Sequence, residues 1–293
     1  TLHKCCPWTT FASSVLLCSR EVEMSEVLKM PTLGDAEFLH LQKLMADASG
    51  IQLAQNKRPL VAGRLMKRLR YYQLNSYTEY LQMLEQPLYK QERRLVVDLL
   101  TTNETYFFRE NPHFEFLGQW LARRRGPIRL WSAACSSGEE PYTLAMVLSE
   151  SATTQDWSIM ASDLSLSMLQ KANEGIYDLT QAKYFPEGWM QRYCLKGIED
   201  MSGRFRVKAA LRDRITLQEV NIVQPLSEDV GLFDVIFLRN VLIYFDNEEK
   251  KRIVQRLVCQ LRPGGLLFIG HAESIHGFDL PVRLVRPSVY ECL

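Results

Sequence analysis

The sequence predicts an α/β protein: a Rossmann-like, doubly wound sheet preceded by a small all-helical domain and interrupted by a small antiparallel β insertion. Three observations carry this. Residues 35–100 show only helical spacing; from residue 128 short apolar runs alternate with helical segments, as parallel strands and their crossovers do; and residues 184–214 are too long and irregular for one connection. At 293 residues the chain exceeds one compact domain, which divides it into a helical domain over 31–100 and an α/β domain over 101–293. Residues 1–30 read as a leader outside both, because Met24 and Met30 are alternative starts; a secretory signal is the weaker alternative, since the apolar stretch 8–18 is broken by Thr9, Thr10, Ser13 and Ser14 and no clean small-x-small cleavage site follows.

In the helical domain Phe38, Leu41, Met45 and Ala48 recur at three-to-four spacing, Gly50 stops that helix and Pro59 lies near the start of the next. Ser76 and Glu79 have capping-box spacing, and a helix runs from there to about Gln86. In the α/β domain, strands fall at 128–131, 157–161, 215–218, 233–238 and 266–270, each an apolar run bounded by turn or helix signals. Helices fall at 141–148, 165–173 and 247–261, the last beginning after Asp246 and stopping at Pro263-Gly264-Gly265. Within the insertion, 189–195 and 204–209 read as strands around the turn-rich 197–203.

Composition excludes several classes. Hydrophobic residues at 46% and charged residues at 24% describe an ordinary globular chain, neither disordered nor fibrous. A net charge of +1 gives no global attraction to nucleic acid or acidic surfaces. The seven cysteines are odd in number, with no Cys-x-x-Cys pair and no histidine at zinc spacing, which points to a reducing compartment and no metal. No run approaches the roughly 20 apolar residues of a membrane span, so a cytoplasmic protein is expected.

The first strand runs into Ser132-Ala133-Ala134-Cys135-Ser136-Ser137-Gly138-Glu139-Glu140-Pro141. Small side chains let a ligand approach the backbone, and the following helix start adds N–H donors. The loop lacks the spaced glycines of a dinucleotide fingerprint and the Gly-Lys-Ser/Thr of a phosphate loop. Alone it is equally a tight strand-to-helix turn. Asp163, closing the second strand about 20 residues past the loop, is placed to accept hydrogen bonds from ribose hydroxyls, to cap the helix at Ser165, or to do both. Glu139 and Glu140 favour a cationic over a phosphorylated cofactor, a charge that S-adenosylmethionine matches.

Four segments in order then carry a resemblance: Thr101-Thr102-Asn103-Glu104-Thr105-Tyr106-Phe107-Phe108-Arg109-Glu110, residues 132–142, Arg239-Asn240-Val241-Leu242-Ile243-Tyr244-Phe245 and His271-Ala272-Glu273-Ser274. Together they resemble the CheR family of chemotaxis receptor methyltransferases, from about Leu33 to the C-terminus. The resemblance implies a class I methyltransferase fold, with S-adenosylmethionine as donor and S-adenosylhomocysteine as product. It also implies methyl transfer to glutamate side chains of chemoreceptors. It places Asn103, Thr105 and Arg109 at the cofactor and reaction centre, counts Ala134 with the cofactor contacts, and puts Glu140 at the cofactor's amino-acid end and Asp163 at its ribose. Asn221 and Ile222 would flank the adenine, while Arg239, Asn240 and Tyr244 line the site from the fourth strand's end. The insertion would touch the receptor, and a receptor C-terminal peptide is its candidate partner through sheet-edge addition.

An ionised glutamate attacking a methyl sulfonium needs no general base; oxygen, methyl carbon and sulfur must be held in line. Arg109, whose planar fork matches a carboxylate, is assigned the orienting role, with the Tyr244 hydroxyl as second donor. The alternatives are an ion pair of Arg109 with Glu104 or Glu110, and plain packing of Tyr244. His271, Glu273 and Cys135 read as structural, since no proton has to be removed. Lys57, Arg64, Lys67 and Arg68 share an arc of roughly 100° beside the apolar stripe Val61, Leu65, Leu69. That patch is signed to steer glutamate-rich receptor helices, a solvated face being the alternative.

A monomer is expected. The competing function is methylation of nucleic acid or another protein, with the same helix on phosphates. Val241-Leu242-Ile243-Tyr244 after Asn240 is unlike the Asn/Asp-Pro-Pro-aromatic segment of enzymes that methylate base amino groups. A non-catalytic adenosylmethionine sensor is a third reading, which Asn103, Arg109 and Tyr244 disfavour.

Overall fold

The computed structural model describes residues 31–293, so the leader reading of residues 1–30 lies outside the described residues. Four helices come first: α1 (Asp35–Ser49), α2 (Arg58–Tyr71), α3 (Tyr77–Glu85) and α4 (Lys90–Leu100). Their apolar stripes meet in one core, where Leu41, Met45, Leu65, Tyr80 and Val96 show no exposure. α1 stops at Gly50, whose left-handed backbone (φ 72°) lets its N–H bond Ala46 O. Ser76 caps α3 by accepting the Glu79 N–H at 3.2 Å, while the Glu79 carboxylate reaches the N–H of Asn75 and not that of Ser76. One polar node is buried between the helices: Glu92 accepts a fork from Arg68 at 2.8 and 2.6 Å and the hydroxyls of Tyr72 and Tyr80 at 3.1 and 2.6 Å. Burial works to raise the Glu92 pKa, yet these donors hold it below its ordinary value.

The α/β portion runs α5 (Pro112–Leu121), β1 (Ile128–Ala133), α6 (Glu139–Ser151), β2 (Trp157–Asp163) and α7 (Leu166–Glu174). The insertion follows as β3 (Ile176–Asp178), α8 (Trp189–Tyr193), β4 (Cys194–Lys196), β5 (Arg204–Val207) and α9 (Ala209–Arg212). The chain then returns through β6 (Ile215–Glu219), β7 (Phe233–Leu238), α10 (Asn247–Val258), β8 (Leu261–Ile269), β9 (Val282–Arg286) and β10 (Val289–Cys292). The main sheet has the order β6-β2-β1-β7-β8-β10-β9. Its first five strands are parallel, and β10 runs antiparallel to both neighbours. Strand order reverses between β1 and β7, so a crevice opens at their carboxyl ends, the usual place for a ligand in such sheets. No described helix is long and apolar enough to cross a membrane.

Three expectations need correction. Residues 189–195 are not one strand: α8 fills most of the segment, entered through the left-handed Gly188 (φ 79°), and β4 is three residues long. The small antiparallel sheet, of order β3-β5-β4, begins at Ile176, ahead of the expected boundary at 184. Finally, α10 ends at Val258 and β8 already starts at Leu261; Pro263-Gly264-Gly265 sits inside the strand, where its pairing with β7 shifts register.

Candidate active site

A cavity opens in this crevice. All eleven residues assigned to cofactor and chemistry line it. Asn103, Thr105 and Arg109 come from the connection between α4 and α5, Ala134 and Glu140 from the loop after β1 and its helix, and Asp163 from the end of β2. Asn221 and Ile222 follow β6, and Arg239, Asn240 and Tyr244 follow β7.

Left-handed backbone at Ala134 (φ 61°), Ser136 (φ 49°) and Gly138 (φ 96°) folds the loop after β1 over the strand ends. At Gly138 the space requires glycine as well, since a Cβ would meet Ala172 Cβ at 2.7 Å and the Tyr177 hydroxyl at 2.9 Å. The fold of the loop aims the Ser136 N–H at Asp163 Oδ2, 2.8 Å away, while Oδ1 accepts the Ser165 N–H at 2.9 Å. Ser165 itself caps α7, accepting the Met168 N–H at 3.2 Å. The capping role considered for Asp163 therefore belongs to Ser165, and each Asp163 oxygen keeps acceptor capacity on the cavity. Burial raises the Asp163 pKa against those two N–H bonds, and Asp98 of α4, also in the cavity wall, adds to the rise.

At the end of β7 the Arg239 side chain, 1% exposed, lies between Glu110 at 3.2 Å and Glu140 at 3.4 Å and also donates to the Arg109 carbonyl. Two carboxylates against one guanidinium leave a net negative charge in a buried place. Burial raises the Glu140 pKa, with Arg239 and the Ser132 hydroxyl, 2.7 Å away, opposing it. Such a site suits an ammonium group. Asn240 (φ 58°) donates its amide to Glu110 at 3.0 Å and its N–H to Glu273 at 3.0 Å. Glu273 also accepts the N–H groups of Leu242 and Gly270, both at 2.6 Å, which staples the loops after β7 and β8. Asn221 donates to Ala48 O at 3.1 Å and accepts the Val223 N–H at 3.1 Å, tying this loop to α1, so Ile222 supplies the apolar wall.

Arg109 sits between two left-handed residues, Phe108 (φ 56°) and Glu110 (φ 58°). Its guanidinium donates to the Glu104 carbonyl at 2.6 Å and makes no ion pair among the described residues. The salt bridge to Glu104 or Glu110 considered for it is not formed, because Glu110 turns to Arg239 and Asn240. The Tyr244 hydroxyl has no partner among the described residues.

The basic patch does not survive whole. Arg64 donates to the Leu99 and Thr101 carbonyls, both at 2.9 Å, and Arg68 is held by Glu92, so both tie α2 to α4. Lys57 and Lys67 are exposed. Glu110, His113 and His271 each bring one ligand atom within 4.8 Å of the others. Both Glu110 oxygens are already bonded, however, and a cation there would sit against Arg239, so no metal is assigned. Burial first, then Arg239 and His271, push the His113 pKa down to about 3. Asp98, at the end of α4 three residues before the matched Thr101–Glu110 segment, lines the cavity without having been singled out from the sequence, and Glu110 pairs with Arg239 and Asn240 where only Arg109 was considered as its partner.

The description "CheR methyltransferase, SAM binding domain" matches residues 103–290, and "CheR methyltransferase, all-alpha domain" matches residues 36–101. The chemotaxis protein methyltransferase of Escherichia coli (strain K12) is 37% identical over 280 residues, covering 95% of this chain and 98% of the relative. That of Salmonella typhimurium is 39% identical over 260 residues, covering 88% and 90%. Chemotaxis protein methyltransferase 2 of Pseudomonas aeruginosa is 39% identical over 261 residues, covering 87% and 92%. The chain thus carries an S-adenosylmethionine-binding domain over residues 103–290, and it belongs to the CheR methyltransferase family.

Proposed function

We propose that this chain esterifies glutamate side chains on the cytoplasmic helices of chemoreceptors, acting as a cytoplasmic monomer. The observation that supports it most is the guanidinium of Arg109, in the cavity wall and in no ion pair among the described residues, while the wall's other arginine, Arg239, is paired with Glu110 and Glu140. Bound S-adenosylmethionine supplies an electrophilic methyl group on a positively charged sulfur. Asp163 accepts the ribose hydroxyls with the lone pairs its two backbone N–H bonds leave over. Glu140, in the net-negative set with Glu110 and Arg239, receives the amino group. Asn103, Thr105 and Ala134 complete the wall, with Ile222 against the adenine. Arg109 and the Tyr244 hydroxyl orient the incoming carboxylate, so the gain is one of positioning. No base is required, in keeping with the neutral, buried His113.

Lys57 and Lys67 steer the glutamate-rich surface. One edge of β4 has no strand partner among the described residues, with Leu195 on it and Ile198 just after it exposed at 54% and 73%, and offers main-chain pairing to an extended receptor segment. A nucleic-acid substrate has less support, because Arg64 and Arg68 are engaged inside the fold. Incubation with methyl-labelled cofactor and either receptor cytoplasmic fragments or RNA tests this. Label on the receptor that alkali releases as methanol is expected; alkali-stable label, or label on RNA, would overturn the proposal.

A further inference from the structure

We infer that the β insertion positions Arg109, through Phe108. The inference rests on the orienting role proposed for Arg109. Left-handed backbone at a bulky residue persists only where its surroundings impose it, and Arg109 has one such residue on each side. The post on the far side is Glu110, bonded to Asn240 and Arg239 at the end of β7.

The near post is Phe108, whose ring is buried and lies 5.6 Å from Phe185 and 5.6 Å from Trp189, centroid to centroid. Phe107 extends the contact, 4.6 Å from Phe185 and 5.7 Å from Phe205. Its N–H also bonds Gln181 Oε1 at 3.4 Å. Gln181, Phe185, Trp189 and Phe205 all belong to the insertion, and neither Phe185 nor Trp189 lines the cavity. The insertion therefore presses on the Arg109 turn from behind, and an aromatic contact outside the cavity decides where the guanidinium stands inside it. Trp189 is a positioning residue: it touches neither cofactor nor acceptor.

The test compares Trp189→Ala and Trp189→Phe in the full chain. Receptor methylation kinetics, adenosylhomocysteine affinity and hydrogen exchange of the amides at 106–110 are measured for each. Trp189→Ala is expected to lower kcat about tenfold or more and to speed exchange at 106–110, leaving the adenosylhomocysteine Kd within about twofold, since a displacement of the orienting group costs rate and not cofactor binding. Trp189→Phe, which restores a ring, is expected to recover both kcat and protection. Wild-type kcat in Trp189→Ala, or exchange at 106–110 equal to wild type, would overturn the inference. A wild-type protein that leaves receptors unmethylated would overturn the function proposed above, and the exchange measurement would still decide whether the insertion holds the turn.

Discussion

Replacing Asp163 with alanine tests the cofactor end of the site, and its size follows from the bonds already present. Each carboxylate oxygen accepts one backbone N–H, from Ser136 at 2.8 Å and Ser165 at 2.9 Å. A carboxylate has about four acceptor sites, so about one remains on each oxygen for a ribose hydroxyl. Hydrogen bonds to a charged group contribute roughly 1.5–3 kcal/mol each. Losing two costs about 3–6 kcal/mol, or about 10²- to 10⁴-fold in Kd at about 1.4 kcal/mol per decade. Water filling the alanine's space can satisfy the Ser136 and Ser165 N–H groups, which moves the expectation toward the lower end. Calorimetric titration with adenosylhomocysteine reads the change, and a melting curve establishes that the variant is folded. A Kd within about threefold of wild type in folded protein would refute the ribose assignment.

Other expectations follow from charge and burial. Burial raises the pKa of Asp163 and Glu140, and their ionised forms are the stronger acceptors for the ribose hydroxyls and amino group proposed to bind them. Affinity should therefore decline as pH falls through those raised values, above the ordinary carboxylate range of about 4, and binding there should release protons; calorimetry in buffers of different ionisation enthalpy measures this, and proton uptake would contradict it. His113 stays neutral when folded, its pKa lowered to about 3, so its contribution is complete above the unfolded value of about 6.5 and is lost as pH falls toward 3. His113→Phe, which keeps a ring against Phe268, should flatten the loss of denaturant stability between about pH 6.5 and 4; an unchanged slope would count against a buried neutral ring. Glu92→Ala strands the Arg68 guanidinium and the Tyr72 and Tyr80 hydroxyls. Breaking a buried pair costs about 3–5 kcal/mol, and with the Arg68 side chain 21% exposed we expect about 2–3 kcal/mol in urea unfolding, against less than about 0.5 kcal/mol for Lys67→Ala.

The parallel strands were legible because burial on both faces forces unbroken apolar runs, as in Val235-Ile236-Phe237-Leu238. β9 was not: it is a five-residue, half-exposed edge strand closed in by Pro281 and Pro287, so Val282-Arg283-Leu284-Val285-Arg286 lacks the long buried apolar run that marked the central strands. Trp189-Met190-Gln191-Arg192-Tyr193 is too short for periodicity to separate helix from strand; the turn at Gly188 decides. In the site, motif order located the cavity wall but not the pairing within it. Glu110 is next to Arg109 in sequence, yet its left-handed backbone aims its carboxylate at Arg239 and Asn240. Likewise Arg64 and Arg68 share an arc with Lys57 and Lys67, but their acceptors come from α4 and the residues just after it, which a helical wheel cannot show.

The central claim is that Arg109 aligns a carboxylate for methylation. Wild-type protein and Arg109→Ala, each incubated with S-adenosylmethionine and a receptor cytoplasmic domain, can be compared by mass-spectrometric mapping of methyl esters. Esters on glutamate side chains are expected with wild type, and a loss of about 10²-fold or more in rate with Arg109→Ala. Methyl groups on any other receptor atom, or wild-type ester yield from Arg109→Ala, would contradict the account.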